Sequence, residues 1–166
     1  MSHEASSPGV AEHANTAAVI RISIVAAFGG FLFGYDSAVI NGAVASIQSE
    51  FAIGPAPLGF AVASALLGAA AGAFFGGRIA DRLGRVPVMK IAALLFLFSA
   101  LGCGLSYHLG WFILWRVVGG VAVGVASVIA PAYIAEVAPA ALRGRLGSLQ
   151  QMGIVLGIFI SLTVDA

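Results

Sequence analysis

The sequence predicts an all-α protein, a bundle of helices that cross a membrane. Three observations lead there. Only 9% of the 166 residues are charged, against roughly 25% in a soluble domain, so there are too few charges to cover a globule in water. Hydrophobic residues make up 60% of the chain, and the mean hydropathy is +1.04. The apolar residues also fall into long runs, and a helix needs about 20 of them to cross a hydrocarbon core. The net charge of +1 gives no reason to expect nucleic acid as a partner. The bilayer is the expected one.

Five runs are long enough to span. They lie near Ala17 to Ile40, Leu58 to Ile79, Val88 to Ser106, Gly110 to Ala135, and Leu146 to Val164. The first follows "MSHEASSPGVAEHANT", which is small, polar and aperiodic and predicts a disordered tail over residues 1–16. That tail is acidic, whereas a cleaved leader starts basic. In the third run, Lys90 has to extend toward the headgroups.

The connections set the orientation. "NGAVASIQSEFAIGPAP" and "YHLG" contain no Lys or Arg, whereas "GGRIADRLGRVPVMK" and "LRGRL" are basic. Basic loops stay on the cytoplasmic side, so the N-terminus is expected there. Four of the runs carry small residues four apart: Gly30 and Gly34; Gly68, Gly72 and Gly76; Gly120 and Gly124; Gly153 and Gly157. This spacing lets helix backbones approach closely in lipid.

Two charges fall inside the spans. Asp36 lies roughly 24 Å along the first from its cytoplasmic end, and Arg116 about 9 Å into the fourth from its outer end, at 1.5 Å per residue. Both therefore sit a little below the outer surface, within reach of each other. A charge at mid-membrane costs about 2.5–3.5 kcal/mol on insertion scales and usually has a partner or faces a cavity. On the residues alone, the two form a proton switch, a static ion pair, or separate groups reaching for the interface.

Three further constellations stand out. Asp81 lies among Arg78, Arg82 and Arg85, with Gly77 and Gly84 close by. Glu136 and Arg143 bracket Pro139, where a helix break is expected; they read as a latch to neighbouring loops or as a solvated surface pair. Gln150 and Gln151 open the fifth apolar run, and an amide offers both donor and acceptor to a hydroxyl-rich ligand or to another helix. There is no phosphate loop, G-x-S-x-G elbow or H-E-x-x-H. No enzyme, metal or cofactor is expected.

"GGFLFGYDSAVINGA", "GGRIADRLGR", "RVVGGVAVG", "PAYIAEVAPAALRGRL" and "QQMGIVLGI" occur in this order. Together they resemble helices one to five, with their loops, of the sugar porter family of the major facilitator superfamily. The resemblance implies a twelve-helix transporter in two halves that rock around a central sugar site. Residues 17–166 would then be an incomplete N-terminal half, five of the expected spans, and the chain a fragment that needs the C-terminal half. It implies a monosaccharide and a proton as partners and the plasma membrane as location. A sugar facilitator, with Asp36 and Arg116 as a structural pair, and a membrane sugar sensor are the alternatives.

By position, the resemblance gives Asp36 and Arg116 the proton-coupling role and Gln151 the sugar hydroxyls, with Phe33 and Ile154 lining the same pocket. Ile158 stands where some xylose symporters have a second glutamine. Gly77, Asp81, Arg82, Gly84 and Arg85 fall in the cytoplasmic latch, and Glu136, Arg143, Gly144 and Arg145 in its charge network. The family usually has a second basic residue directly after Arg85, whereas Val86 and Pro87 follow here.

Overall fold

A computed structural model describes residues 8–138 and 140–164, with side chains from Ser23 onward except Ala26 and residues 139–142. It contains α1 (Pro8–Glu50), α2 (Pro55–Leu83), α3 (Arg85–Gly104), α4 (Leu109–Val137) and α5 (Ala140–Val164). There is no strand among the described residues. All five helices are long and apolar enough to cross a membrane.

The first helix extends beyond the expected span at both ends. It begins at Pro8, not near Ala17, because proline suits a first helical turn and the alanine-rich stretch after it favours helix. Residues 8–16, expected in the tail, are thus helical, and residues 1–7 lie outside the described residues. At the other end the helix passes through Asn41 and Gly42 to Glu50. Its extension is held by a cluster at this end of the bundle in which Ile40 and Ile47 meet Leu58 and Ala61 of α2 and Phe112 of α4. The loop to α2 shrinks to residues 51–54.

One residue, Gly84, connects α2 to α3. Its φ of 90° with ψ of 156° is open to glycine and strained for any side chain. α3 resumes at once at Arg85, with Pro87 in its first turn, where the missing N–H costs nothing. The expected break at Pro139 lies outside the described residues, but α4 ends at Val137 and α5 starts at Ala140 on either side of it.

The two most extensive contacts join helices that are not adjacent in sequence, and among neighbours only α3 and α4 pack extensively. α2 and α3 both pack on α4, and α1 packs on α5. The glycines explain the two closest pairs. A Cβ on Gly68 or Gly72 would strike the carbonyls of Val117 or Val121, and one on Gly120 or Gly124 those of Ala65 or Ala69. α1 and α5 repeat the arrangement, with Gly30 and Gly34 against Gln150 and Ile154, and Gly153 and Gly157 against Ala27 and Phe31. Backbone meets backbone in both pairs, so dispersion contacts replace the hydrophobic drive that lipid lacks. Large side chains such as Leu66, Phe75, Leu94, Phe98 and Phe159 face outward. That surface suits hydrocarbon rather than water.

Candidate functional site

Arg116 sits on the buried face of α4 and is 8% exposed. Its Nη1 donates to both carboxylate oxygens of Asp36 on α1, at 3.1 and 3.2 Å. The structure therefore brings together two residues 80 positions apart, one from each of the two packed sets, α1 with α5 and α2 with α3 and α4. Asp36 is about one-third exposed, so one side of the carboxylate is open. Arg116 Nε is buried and has no hydrogen-bond partner among the described residues. Desolvating a guanidinium is expensive, and an ion pair of this kind holds only while its partner stays charged.

α3 lines the same site, which sequence reasoning missed. Ser99 is buried and donates to the carbonyl of Trp115, the residue before Arg116. Cys103, one turn further on, lies within electrostatic reach of both Arg116 and Asp36. The available signal was Ser99, Cys103 and Ser106 at near four-residue spacing in an apolar run, the pattern of polar groups that join helices in lipid.

The sugar-pocket residues are placed differently from one another. Gln151 is exposed and lines an open groove of 720 Å³ along α5 with Gly144, Gly147, Ser148, Met152, Val155 and Leu156. Phe33, Ile154 and Ile158 do not line that groove. Ile154 is half-buried against Gly34 of α1, since it turns toward the helix contact, and Ile158 is exposed further along α5. Phe33 is half-buried on α1, where its carbonyl accepts from Ser37 Oγ.

At the other end, Arg85 Nη2 lies 3.1 Å from Asp81 and 3.0 Å from Glu136. One nitrogen thus ties the end of α2 to the end of α4. Arg78 stacks on the ring of Phe74, 4.8 Å from its centroid. Arg82, Arg143 and Arg145 are exposed and make no ion pair among the described residues. A Cβ on Gly77 or Gly144 would meet nothing within 4 Å among the described residues, so neither glycine is required by packing there. No group of His, Cys, Asp and Glu suited to a metal occurs among the described residues.

The profile of the family described as "Sugar (and other) transporter" matches residues 22–166. The chain belongs to this family. It is 61% identical over 149 residues to a "Glucose transport protein" of Synechocystis, covering 90% of this chain and 32% of that protein. It is 39% identical over 170 residues to the "D-xylose-proton symporter" of Escherichia coli K12, covering 86% and 34%. Among solved structures, the major facilitator proton:xylose symporter XylE bound to 6-bromo-6-deoxy-D-glucose superposes with a TM-score of 0.82 at 38% identity, covering 90% of this chain and 37% of that one. The inward-open form of XylE from E. coli gives 0.79 at 38% identity, covering 86% and 38%. The chain thus spans about a third of the length of these relatives. The fold is that of the major facilitator superfamily, in a multi-pass membrane protein.

Proposed function

We propose that the complete protein carrying this chain transports a monosaccharide across the plasma membrane by alternating access, with a proton as co-substrate. The observation that carries this reading is the ion pair between buried Arg116 and half-open Asp36. A carboxylate placed there has one charged partner and a path to solvent. Protonation from outside removes its charge and frees Arg116, and the pair re-forms when the proton leaves on the inside. Gln151, exposed on α5, offers its amide to sugar hydroxyls, with the remaining ligands coming from the other half. The clamp formed by Arg85, Asp81 and Glu136 closes the cytoplasmic side while the site faces outward.

Relatives named for glucose transport and for xylose–proton symport support the substrate class and the coupling. Glucose is the first sugar to try, because the glucose relative shares 61% identity. The distribution of arginine between loops supports a cytoplasmic N-terminus.

The test is the external pH of weakly buffered cells expressing the complete gene product while sugars are added. Alkalinisation with one sugar, lost in Asp36→Asn, is the expected result. Labelled-sugar uptake with no pH change would make the protein a facilitator and return Asp36 and Arg116 to a structural role.

A further inference from the structure

The contact between α3 and α4 is built around the residue that precedes Arg116. Ser99 Oγ donates to the Trp115 carbonyl at 2.5 Å. A Cβ on Gly119 would meet Ser99 Oγ, and one on Gly102 would enter the Trp115 indole ring. α3 therefore grips one turn of α4 by its backbone and its aromatic side chain, and Arg116 projects from that turn. The guanidinium it presents reaches Asp36 through Nη1 alone, while its buried Nε has no partner among the described residues. An arginine free to settle on a carboxylate favours the fork, two parallel N–H bonds from two nitrogens. This one is held short of it.

We propose that Ser99 is a positioning residue that fixes α4 against α3 so that Arg116 meets Asp36 with one nitrogen, leaving an ion pair able to open in each transport cycle. The inference rests on the proton-coupling reading. The titratable and charged groups near Asp36 are few. Arg116 faces it from α4, Cys103 from α3, and Tyr35 adjoins it on α1. α2 from Pro55 to Gly77 and α5 from Leu146 to Val164 carry no titratable side chain. Release of the pair therefore depends chiefly on how Arg116 is held.

Removing the Ser99 hydroxyl leaves the Trp115 carbonyl its helical partner, the N–H of Gly119, so the fold persists. Arg116 then relaxes toward the fork and holds the carboxylate more firmly. Protonating Asp36 requires a more acidic outside. Gly119→Ala displaces the same hydroxyl from the α4 side.

The experiment uses vesicles containing the complete transporter, either wild type or with Ser99→Ala, Ser99→Thr, Gly119→Ala or Asp36→Asn. Sugar uptake driven by a pH gradient is measured against external pH, beside counterflow without a gradient at a pH acidic enough to protonate Asp36 in every variant. In Ser99→Ala and Gly119→Ala, half-maximal uptake is expected about one pH unit more acidic, with the initial uptake rate at neutral pH down roughly tenfold. Counterflow at that acidic pH stays close to wild type, and Ser99→Thr, which keeps the hydroxyl, restores the profile. An unchanged profile in both variants, or counterflow falling in step with driven uptake, overturns the assignment. Accumulation surviving in Asp36→Asn instead removes the coupling reading itself. Loss in Asp36→Asn beside a normal Ser99→Ala removes only the role of Ser99.

Discussion

Arg85 donates to Glu136 at 3.0 Å, joining the first residue of α3 to the last turn of α4. The same nitrogen also contacts Asp81. Both carboxylates are more than half exposed, and exposed pairs of this kind contribute about 0–1 kcal/mol to stability. Arg85→Gln should therefore lower the melting temperature of the purified transporter only slightly. A clamp that forms in one state of the cycle and opens in the other acts on the balance between states instead. Transport turnover should fall well beyond the change in stability, with sugar affinity measured from outside altered as well. Thermal melting beside uptake kinetics checks this; a loss of stability that accounts for the whole loss of transport would make the contact merely structural.

Gly72 and Gly77 lie close together on α2 but should respond oppositely to substitution. A Cβ on Gly72 would collide with the carbonyl of Val121, which belongs to the α4 backbone and cannot turn aside. Gly72→Val should cost about 3 kcal/mol or more, the upper end of overpacking penalties, and sharply reduce the yield of folded protein. A Cβ on Gly77 meets nothing within 4 Å among the described residues, and alanine is about 1 kcal/mol better than glycine inside a helix. Gly77→Ala should leave stability unchanged or improve it. Melting of both variants in one detergent decides the point.

Gly84 offers a third case, in which the backbone decides. Its φ of 90° and ψ of 156° lie where non-glycine residues pay about 1–3 kcal/mol. Gly84→Ala should destabilise by that amount and disturb the contact between Asp81 and Arg85 that spans the turn. A variant that melts at the wild-type temperature would show that the turn can take another conformation.

The helices and their close packing were legible because each depends on local properties: run length and glycine spacing. Their partners were not. The glycines announce close packing without saying which helix answers, and it is α4 that answers α2, and α5 that answers α1. The α1 extension from Asn41 to Glu50 was hidden because "NGAVASIQSE" reads as polar, although Ile47 anchors it in the cluster with Leu58, Ala61 and Phe112. Asp36 and Arg116 stood out as charges in apolar runs. Ser99 did not, since its spacing with Cys103 and Ser106 marks only a polar edge of α3, and its importance comes from the carbonyl it meets on another helix. Family position groups Ile154 with Gln151; three residues on, it lies about 60° round the helix, at the edge that meets α1 beside Gly34 and outside the groove that Gln151 lines.

Gln151 lets sugar binding be separated from proton coupling. It is exposed in the groove on α5, so truncation should change stability by no more than about 0.5 kcal/mol. A neutral hydrogen bond contributes about 0.5–1.5 kcal/mol net, and 1.4 kcal/mol is tenfold in affinity. Gln151→Ala should therefore raise the KM for sugar by roughly two- to tenfold. Asp36 and Arg116 are untouched by the change, so at saturating sugar the accumulation ratio should match wild type. Initial-rate kinetics and steady-state accumulation, measured on the same vesicles, give the two quantities independently. Should Gln151→Ala abolish accumulation while KM stays constant, the amide would belong to the coupling machinery and the sugar hydroxyls would have to be bound elsewhere.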